Sequence, residues 1–161
     1  MTYDRARLRS ELIRDEALRL KVYHCTAGKL SIAVGRNLDD VGIRAHEARA
    51  LGITKSGVIA RGVTRAQAMF LLDSDIDTVE AHLDHDLPWW RKLDDVRQRV
   101  LLNMTFNLGL KGMLGFRNTL GMIQRGDYVA AARGMKASRW HNQVGDRAVR
   151  LEAMMATGVA A

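Results

Sequence analysis

The sequence has one cysteine, Cys25, and one proline, Pro88. A single thiol excludes a disulfide framework within the chain, so Cys25 is either a structural or a reactive thiol. Aromatic residues make up 6% of the chain, which limits any stacking surface to a few positions. Trp89, Trp90 and Trp140 are read as closing a core at helix ends, the alternative being a platform for a sugar ring. No stretch approaches the roughly 18 consecutive apolar residues that a membrane span needs, so no membrane anchor is expected. The charges of Met1-Thr-Tyr-Asp-Arg-Ala-Arg7 are not followed by an apolar core region, so no signal peptide is expected and synthesis in the cytoplasm is. Internal repeats and low-complexity segments are missing too. His82 and His85 stand at i, i+3 with no third ligand nearby, so they read as a solvated face and no metal site is expected.

What is present is charge of one sign in excess. Lysine and arginine number 25 against 18 aspartates and glutamates, a formal net charge of +7. That balance favours a polyanionic partner, either nucleic acid or an anionic cell envelope, and does not choose between them. With 161 residues, 47% of them hydrophobic, the chain suffices for one domain with a proper core, divisible into two lobes.

Periodicity places the elements. Leu8, Leu12 and Glu16 fall at i, i+4 and i+8 on one stripe of an amphipathic helix. Leu20-Lys-Val-Tyr23 and Leu30-Ser-Ile-Ala-Val34 alternate on either side of the turn residues Thr26-Ala-Gly28, which reads as a β-hairpin. Asp39 to Gly42 and Ile53 to Gly62 are turn-rich, and Gly57-Val-Ile59 is expected to add one short strand. Thr64-Arg-Ala-Gln67 has the form of a capping box, followed by Met69, Leu72, Ile76, Val79 and Leu83 at helical spacing, and Pro88 stops that helix. From Asp94 the chain reads as helical, with breaks at Gly109 and Gly126 and a last helix after Asp146. The expected fold is α+β and mainly helical. A small N-terminal lobe with a short sheet (about 12–63) and an all-helical C-terminal lobe (about 86–161, with the N-terminal helix) are joined by a helix over about 64–84, with a cleft between the lobes.

The hairpin region also carries candidate chemistry. A carboxyl on a buried stripe is desolvated and tends to hold its proton, which makes Glu16 a candidate general acid; the alternative is a core glutamate paired with an arginine. Leu30, Ile32 and Val34 share one face of their strand, so Ser31 presents a hydroxyl on the other. Cys25, beside the turn, can reach the same space, whereas His24 should point the opposite way and makes a poor partner for a Cys-His nucleophile pair.

Glu16, eight residues, Cys25, five residues, Ser31 resembles the N-terminal pattern of the bacteriophage lysozymes of the T4 type, in which a Glu is followed at the same spacing by an Asp, or in some endolysins a Cys, and then a Thr. Val96 through Asn103-Met-Thr-Phe-Asn107, Gly115-Phe-Arg-Asn-Thr-Leu120 and Lys136-Ala-Ser-Arg-Trp-His-Asn-Gln143 with Arg147 resemble the C-terminal lobe of the same enzymes, in the same order. The resemblance spans nearly the whole chain. It implies a lysozyme-like fold and a peptidoglycan muramidase without cofactor, in which Glu16 is the acid, Cys25 stabilises the developing oxocarbenium or helps to activate water, and Ser31 positions that water. It also implies that Asn37, Phe106 and Thr119 line the sugar-binding cleft and that Arg147 holds Glu16 or Asp15, the alternative for Arg147 being a charge on a basic surface. Arg36 stands where the family often has a His that pairs with an Asp on the connecting helix, here Asp75, so the ion pair is kept and its pH switch removed. Gly134 replaces a cleft Asn.

The resemblance further implies an endolysin made in a host cytoplasm, probing the wall as a monomer after a holin-type pore opens the membrane, with no nucleic acid as partner. Two other classes stand beside it. One is a cysteine-dependent wall peptidase or amidase acting through Cys25. The other is a non-catalytic basic module that binds envelope polyanions or nucleic acid.

Overall fold

The computed structural model describes residues 2–161. Helix α1 (Arg5–Glu16) starts where the Asp4 carboxylate accepts from the Arg7 N–H at 3.0 Å, and it buries Leu8 and Leu12 completely. It stops at Ala17, whose N–H donates to the Ile13 carbonyl at 2.9 Å and whose φ of 64° is left-handed. A glycine usually occupies such a helix end, because a Cβ is strained there. Here an alanine does, and Glu16 becomes the last helical residue.

The chain divides into two compact units. One runs from Arg9 to Asp77, and the other combines the residues up to Leu8 with Thr78–Ala161. In the first unit, strands β1 (Arg19–His24), β2 (Leu30–Ala33) and β3 (Arg36–Asn37) form an antiparallel sheet in the order β1-β2-β3. Tyr23 lies opposite Ser31, and Ser31 opposite Asn37; a register irregularity separates Arg19 from Tyr23. Ile32, Ala33, Leu38, Val58, Val63, Ala68 and Leu71 form the core beneath it. The expected alternation along the second strand is only half seen, since Ser31 and Ala33 are as buried as Ile32.

The third strand is Arg36–Asn37 and not the expected Gly57-Val-Ile59, which lies in a helix. The cause is local. Thr54 accepts through its side chain from the Gly57 N–H at 3.1 Å and caps α3 (Lys55–Arg61), while Val58 turns into the core. Helix α2 (Ala45–Leu51) precedes it, with the Arg44 N–H donating to the Glu47 carboxylate at 2.8 Å at its start. The expected capping box opens α4 (Arg65–Asp86): the Thr64 N–H donates to Gln67 Oε1 at 2.9 Å and the Gln67 N–H to Thr64 Oγ1 at 3.1 Å. The boundary between the units falls within this helix.

Arg36 is the charge at the centre of the first unit, and it is 1% exposed. Its Nη1 and Nη2 donate to the two Glu47 carboxylate oxygens at 2.9 and 2.6 Å, and further to the carbonyls of Gly42 and Leu71. Its Nε donates to Asp75 at 3.0 Å, the expected pair. All five N–H groups are used. Glu47 was not foreseen as a partner, although its place three residues after Arg44 is the spacing of a helix-start carboxylate.

The second unit is helical. Past a 3-10 turn at Pro88–Lys92 come α5 (Asp95–Leu114), broken at Gly109, then α6 (Arg117–Gln124), α7 (Tyr128–Lys136), α8 (Arg139–Val144) and α9 (Asp146–Thr157). Met104, Ile123, Ala131, Met135, Ala148, Leu151 and Met154 are buried where α5, α6, α7 and α9 meet. Trp90 is fully buried and Trp140 nearly so, as read for a core, with the Trp90 ring N–H satisfied by Asp84 at 2.8 Å. His82 and His85 are exposed.

Two stability effects follow. Burial opposes the Glu47 charge, but hydrogen bonds from Arg36, Ser74 and the Arg44 backbone outweigh it and hold its pKa at about 2, below the ordinary 4.5. A depressed carboxyl contributes stability that is fully present above the unfolded value and lost as pH falls from 4.5 toward 2. Glu47→Gln should therefore cost about 3 kcal/mol near neutrality in urea denaturation, by stranding part of a buried guanidinium, and should flatten the acid limb of stability. Ala17 is exposed, so Ala17→Gly loses no packing and relieves left-handed strain; a gain of about 0.5–1 kcal/mol is expected in the same measurement.

Candidate active site

Glu16, Cys25 and Ser31 all belong to the first unit, and the short elements around the hairpin place them. Because α1 ends at Glu16, this side chain leaves the helix at its last turn, and it is partly exposed rather than sealed in the core. Its carboxyl lies against the β2–β3 turn. A Cβ built on Gly35 would come within 2.8 Å of Glu16 Oε2 and 3.0 Å of its Cδ, and Gly35 has φ 66°. Only glycine meets both conditions, so Gly35 is part of the acid's seat. Sequence reading missed it, though a glycine directly after the alternating run Leu30-Ser-Ile-Ala-Val34 is a usable turn signal.

Cys25 opens the β1–β2 turn. Its N–H donates to the Lys29 carbonyl at 2.9 Å, and its carbonyl accepts from the Gly28 N–H at 2.8 Å. The turn thus folds its own N–H groups toward the sulfur. The Lys29 N–H is the main influence that lowers the thiol's pKa; burial works against it, and the Ala27 N–H, the Ser31 hydroxyl and the residue's own N–H add to the lowering. The thiol is partly exposed and free, whereas His24 is exposed beside it. Ser31 is 3% exposed and donates from Oγ to the Lys29 carbonyl at 3.1 Å. It is therefore shared between the turn's backbone and the thiol.

Tyr23 completes the group, and nothing in the sequence singled it out. It sits opposite Ser31 on the neighbouring strand, with the Arg19 guanidinium 4.5 Å from the centre of its ring. Burial raises its phenol pKa, the charge of Glu16 raises it further, Arg19 opposes and Cys25 adds a smaller rise. An un-ionised hydroxyl thus stands within electrostatic reach of both the carboxyl and the thiol.

The remaining predicted residues are placed as follows. Asn37 spends its amide on the turn after β3: Nδ2 donates to Asp40 at 2.9 Å and Oδ1 accepts from the Asp40 N–H at 2.9 Å. Arg36 and Asp75 belong to the buried ion cluster. In the second unit Arg147 is 7% exposed and donates from Nε to Asn103 at 2.9 Å, so it is not a surface charge. Phe106 is half-buried on α5. Thr119 is 5% exposed on α6 and helps to line a pocket of about 650 Å³ with Phe116, Arg117, Gly134, Arg139 and Trp140. A Cβ on Gly134 would lie 2.5 Å from Thr119 Oγ1, so the hydroxyl takes the space that a side chain there would need. Trp140 stands edge-on to Phe116 at 6.2 Å and donates to Asn107 at 2.7 Å, which joins its core role to one wall of the pocket.

A carboxyl seated on a glycine, a thiol whose pKa is lowered by its own turn and a buried hydroxyl thus lie on the short elements around one hairpin. The family model described as phage lysozyme matches residues 14–155. Pre-baseplate central spike protein Gp5 of Enterobacteria phage T4 is 30% identical over 156 residues, which are 91% of this chain and 27% of that much longer protein. Probable T4-type lysozyme 1 of Dictyostelium discoideum is 26% identical over 157 residues, 89% of this chain and 90% of that protein. Probable T4-type lysozyme 2 of the same organism is 25% identical over 163 residues, 94% of each. A match that takes in the hairpin with its carboxyl and thiol as well as the helices that bury Trp140 and Arg147 makes this chain a member of the phage lysozyme family.

Proposed function

We propose that the protein is a muramidase that hydrolyses the β-1,4 bond between N-acetylmuramic acid and N-acetylglucosamine in peptidoglycan, as an endolysin in host-cell lysis. The observation that carries this reading is the juxtaposition, in one small unit, of Glu16 on Gly35 with a Cys25 thiol whose pKa is lowered by its own turn. Cleaving a glycosidic bond requires a proton for the leaving oxygen and a group that stabilises the oxocarbenium or activates water. Glu16 supplies the proton. The Cys25 thiolate takes the second part, Ser31 orients the water, and Tyr23 remains a neutral hydroxyl beside them. Thr119 and Phe106 bind the glycan, Asn37 acts through the turn it holds, and Arg147 steadies α5 through Asn103. The enzyme works as a monomer without cofactor, and a holin-type pore gives it access to the wall.

Purified peptidoglycan incubated with the protein should release fragments with new reducing muramic acid ends, detected by mass spectrometry. Free amino groups in their place would favour a wall peptidase with Cys25 as nucleophile. Glu16→Gln should fold and lose activity by about a hundredfold to ten-thousandfold, the range of a lost general acid. Turnover at the wild-type rate by this variant would sink the assignment.

Cys25 gives a pH-dependent test. The thiolate forms as pH rises through the thiol's lowered pKa, so wild-type activity should carry an acid limb there; a carboxylate at the same place is charged already near pH 4 to 5. Cys25→Asp should remain active with the limb moved to lower pH, and Cys25→Ala should lose most activity. Iodoacetamide should inactivate the wild type and spare Cys25→Asp. Full activity of Cys25→Ala would make the thiol a bystander.

A further inference from the structure

Between Val96 and Gly145 the sequence holds eight cations and a single acid, Asp127. Arg97 and Arg99 are paired with Asp94 and Asp95. The other six, Lys111, Arg117, Arg125, Arg133, Lys136 and Arg139, are all exposed, and among the described residues none of them forms an ion pair. Their distribution is uneven. Arg117 and Arg139 line the 650 Å³ pocket themselves, Lys111 and Arg133 are the immediate neighbours of its lining residues Gly112 and Gly134, and Lys136 follows two residues after Gly134. Arg125 alone sits away from it, at the far end of α6.

The pocket lining contains no carboxylate. Its polar groups are Asn118, Thr119, Ser138 and Gln143, beside the aromatic walls of Phe116 and Trp140. Arginine does not lose its charge at any working pH, and a concave surface with cations of one sign at its rim concentrates positive potential. Its complement is a ligand that is part amide, part carboxylate. On the muramidase reading above, on which this inference rests, the glycan strand itself is made of neutral N-acetylated sugars, and the negative groups of the substrate are the free carboxylates of its peptide stems.

We propose that Arg117 and Arg139 make this pocket selective for wall polymer whose peptide stems carry free carboxylates over polymer in which those carboxylates are amidated. Gly134 and Thr119 line the same pocket as the two arginines, and neither brings a charge that would neutralise them. Each exposed charge pair contributes modestly, so the discrimination is one of degree and falls as salt rises.

The test uses one preparation of purified sacculi in two forms, one with free carboxylates and one amidated with carbodiimide and ammonia, and the full-length protein. Wild type at low salt should show a KM about three- to tenfold higher on the amidated form, with the ratio shrinking toward one in high salt. In Arg117→Gln/Arg139→Gln the ratio should be near one at low salt. Arg125→Gln removes a charge from the same helices away from the pocket and should retain the wild-type ratio. Equal KM of wild type on both forms would overturn the proposal, as would loss of the ratio in Arg125→Gln, which would assign the effect to overall charge. Co-sedimentation with the two forms reads binding separately from turnover: preferential binding to the acid form that the double variant loses supports the pocket even if no bond is cleaved, and a failure to cleave either form then counts against the muramidase reading alone.

Discussion

The buried guanidinium of Arg36 is the constraint on which the sheet-bearing unit depends. A charge that is 1% exposed must have every donor matched or it destabilises the fold by several kcal/mol. Here the matching groups come from the turn at Gly42, from α2 through Glu47 and from α4 through Leu71 and Asp75. Three separate stretches of chain are thereby fixed to β3. Gly35, the residue before Arg36, is the seat of the Glu16 carboxyl, so the ion cluster also fixes the turn on which the acid rests.

The thiol is tuned by a different device. No cation is among the influences that lower the Cys25 pKa; they are the N–H groups of its own tight turn and one hydroxyl. Backbone dipoles held by a hairpin do not titrate and are little screened by salt. The thiol's pKa is therefore lowered without a histidine, and His24 can remain exposed beside it. The single Ser31 hydroxyl serves either the Lys29 carbonyl or the sulfur at any instant, so ionisation of the thiol and the orientation of that hydroxyl are linked.

Periodicity and capping made most helices legible, because Thr64 with Gln67, Pro88, Gly109 and Gly126 each leave a chemical mark at an element's end. The lysozyme family was readable through the motifs that resemble it, and that resemblance also implied the fold and the pairing of Arg36 with Asp75. Three things were not. Gly57-Val-Ile59 has strand-like apolar residues but obeys the cap three residues earlier, so a local hydrogen bond overrode the pattern. The end of α1 rests on an alanine in a left-handed conformation, which no composition rule anticipates. Tyr23 and Glu47 gain their significance from partners eight to eleven residues away across a strand pair or a helix start, contacts that only the folded chain defines.

The contact between Thr119 and Gly134 makes the two positions conditional on each other. A methyl at 134 would lie 2.5 Å from the Thr119 hydroxyl, and threonine, being β-branched, has fewer χ1 rotamers through which to turn it away than an unbranched side chain. A serine at 119 has the same hydroxyl with three accessible rotamers. A side chain at 134 therefore requires the hydroxyl at 119 to turn away, and the space at this end of the pocket depends on the two residues together.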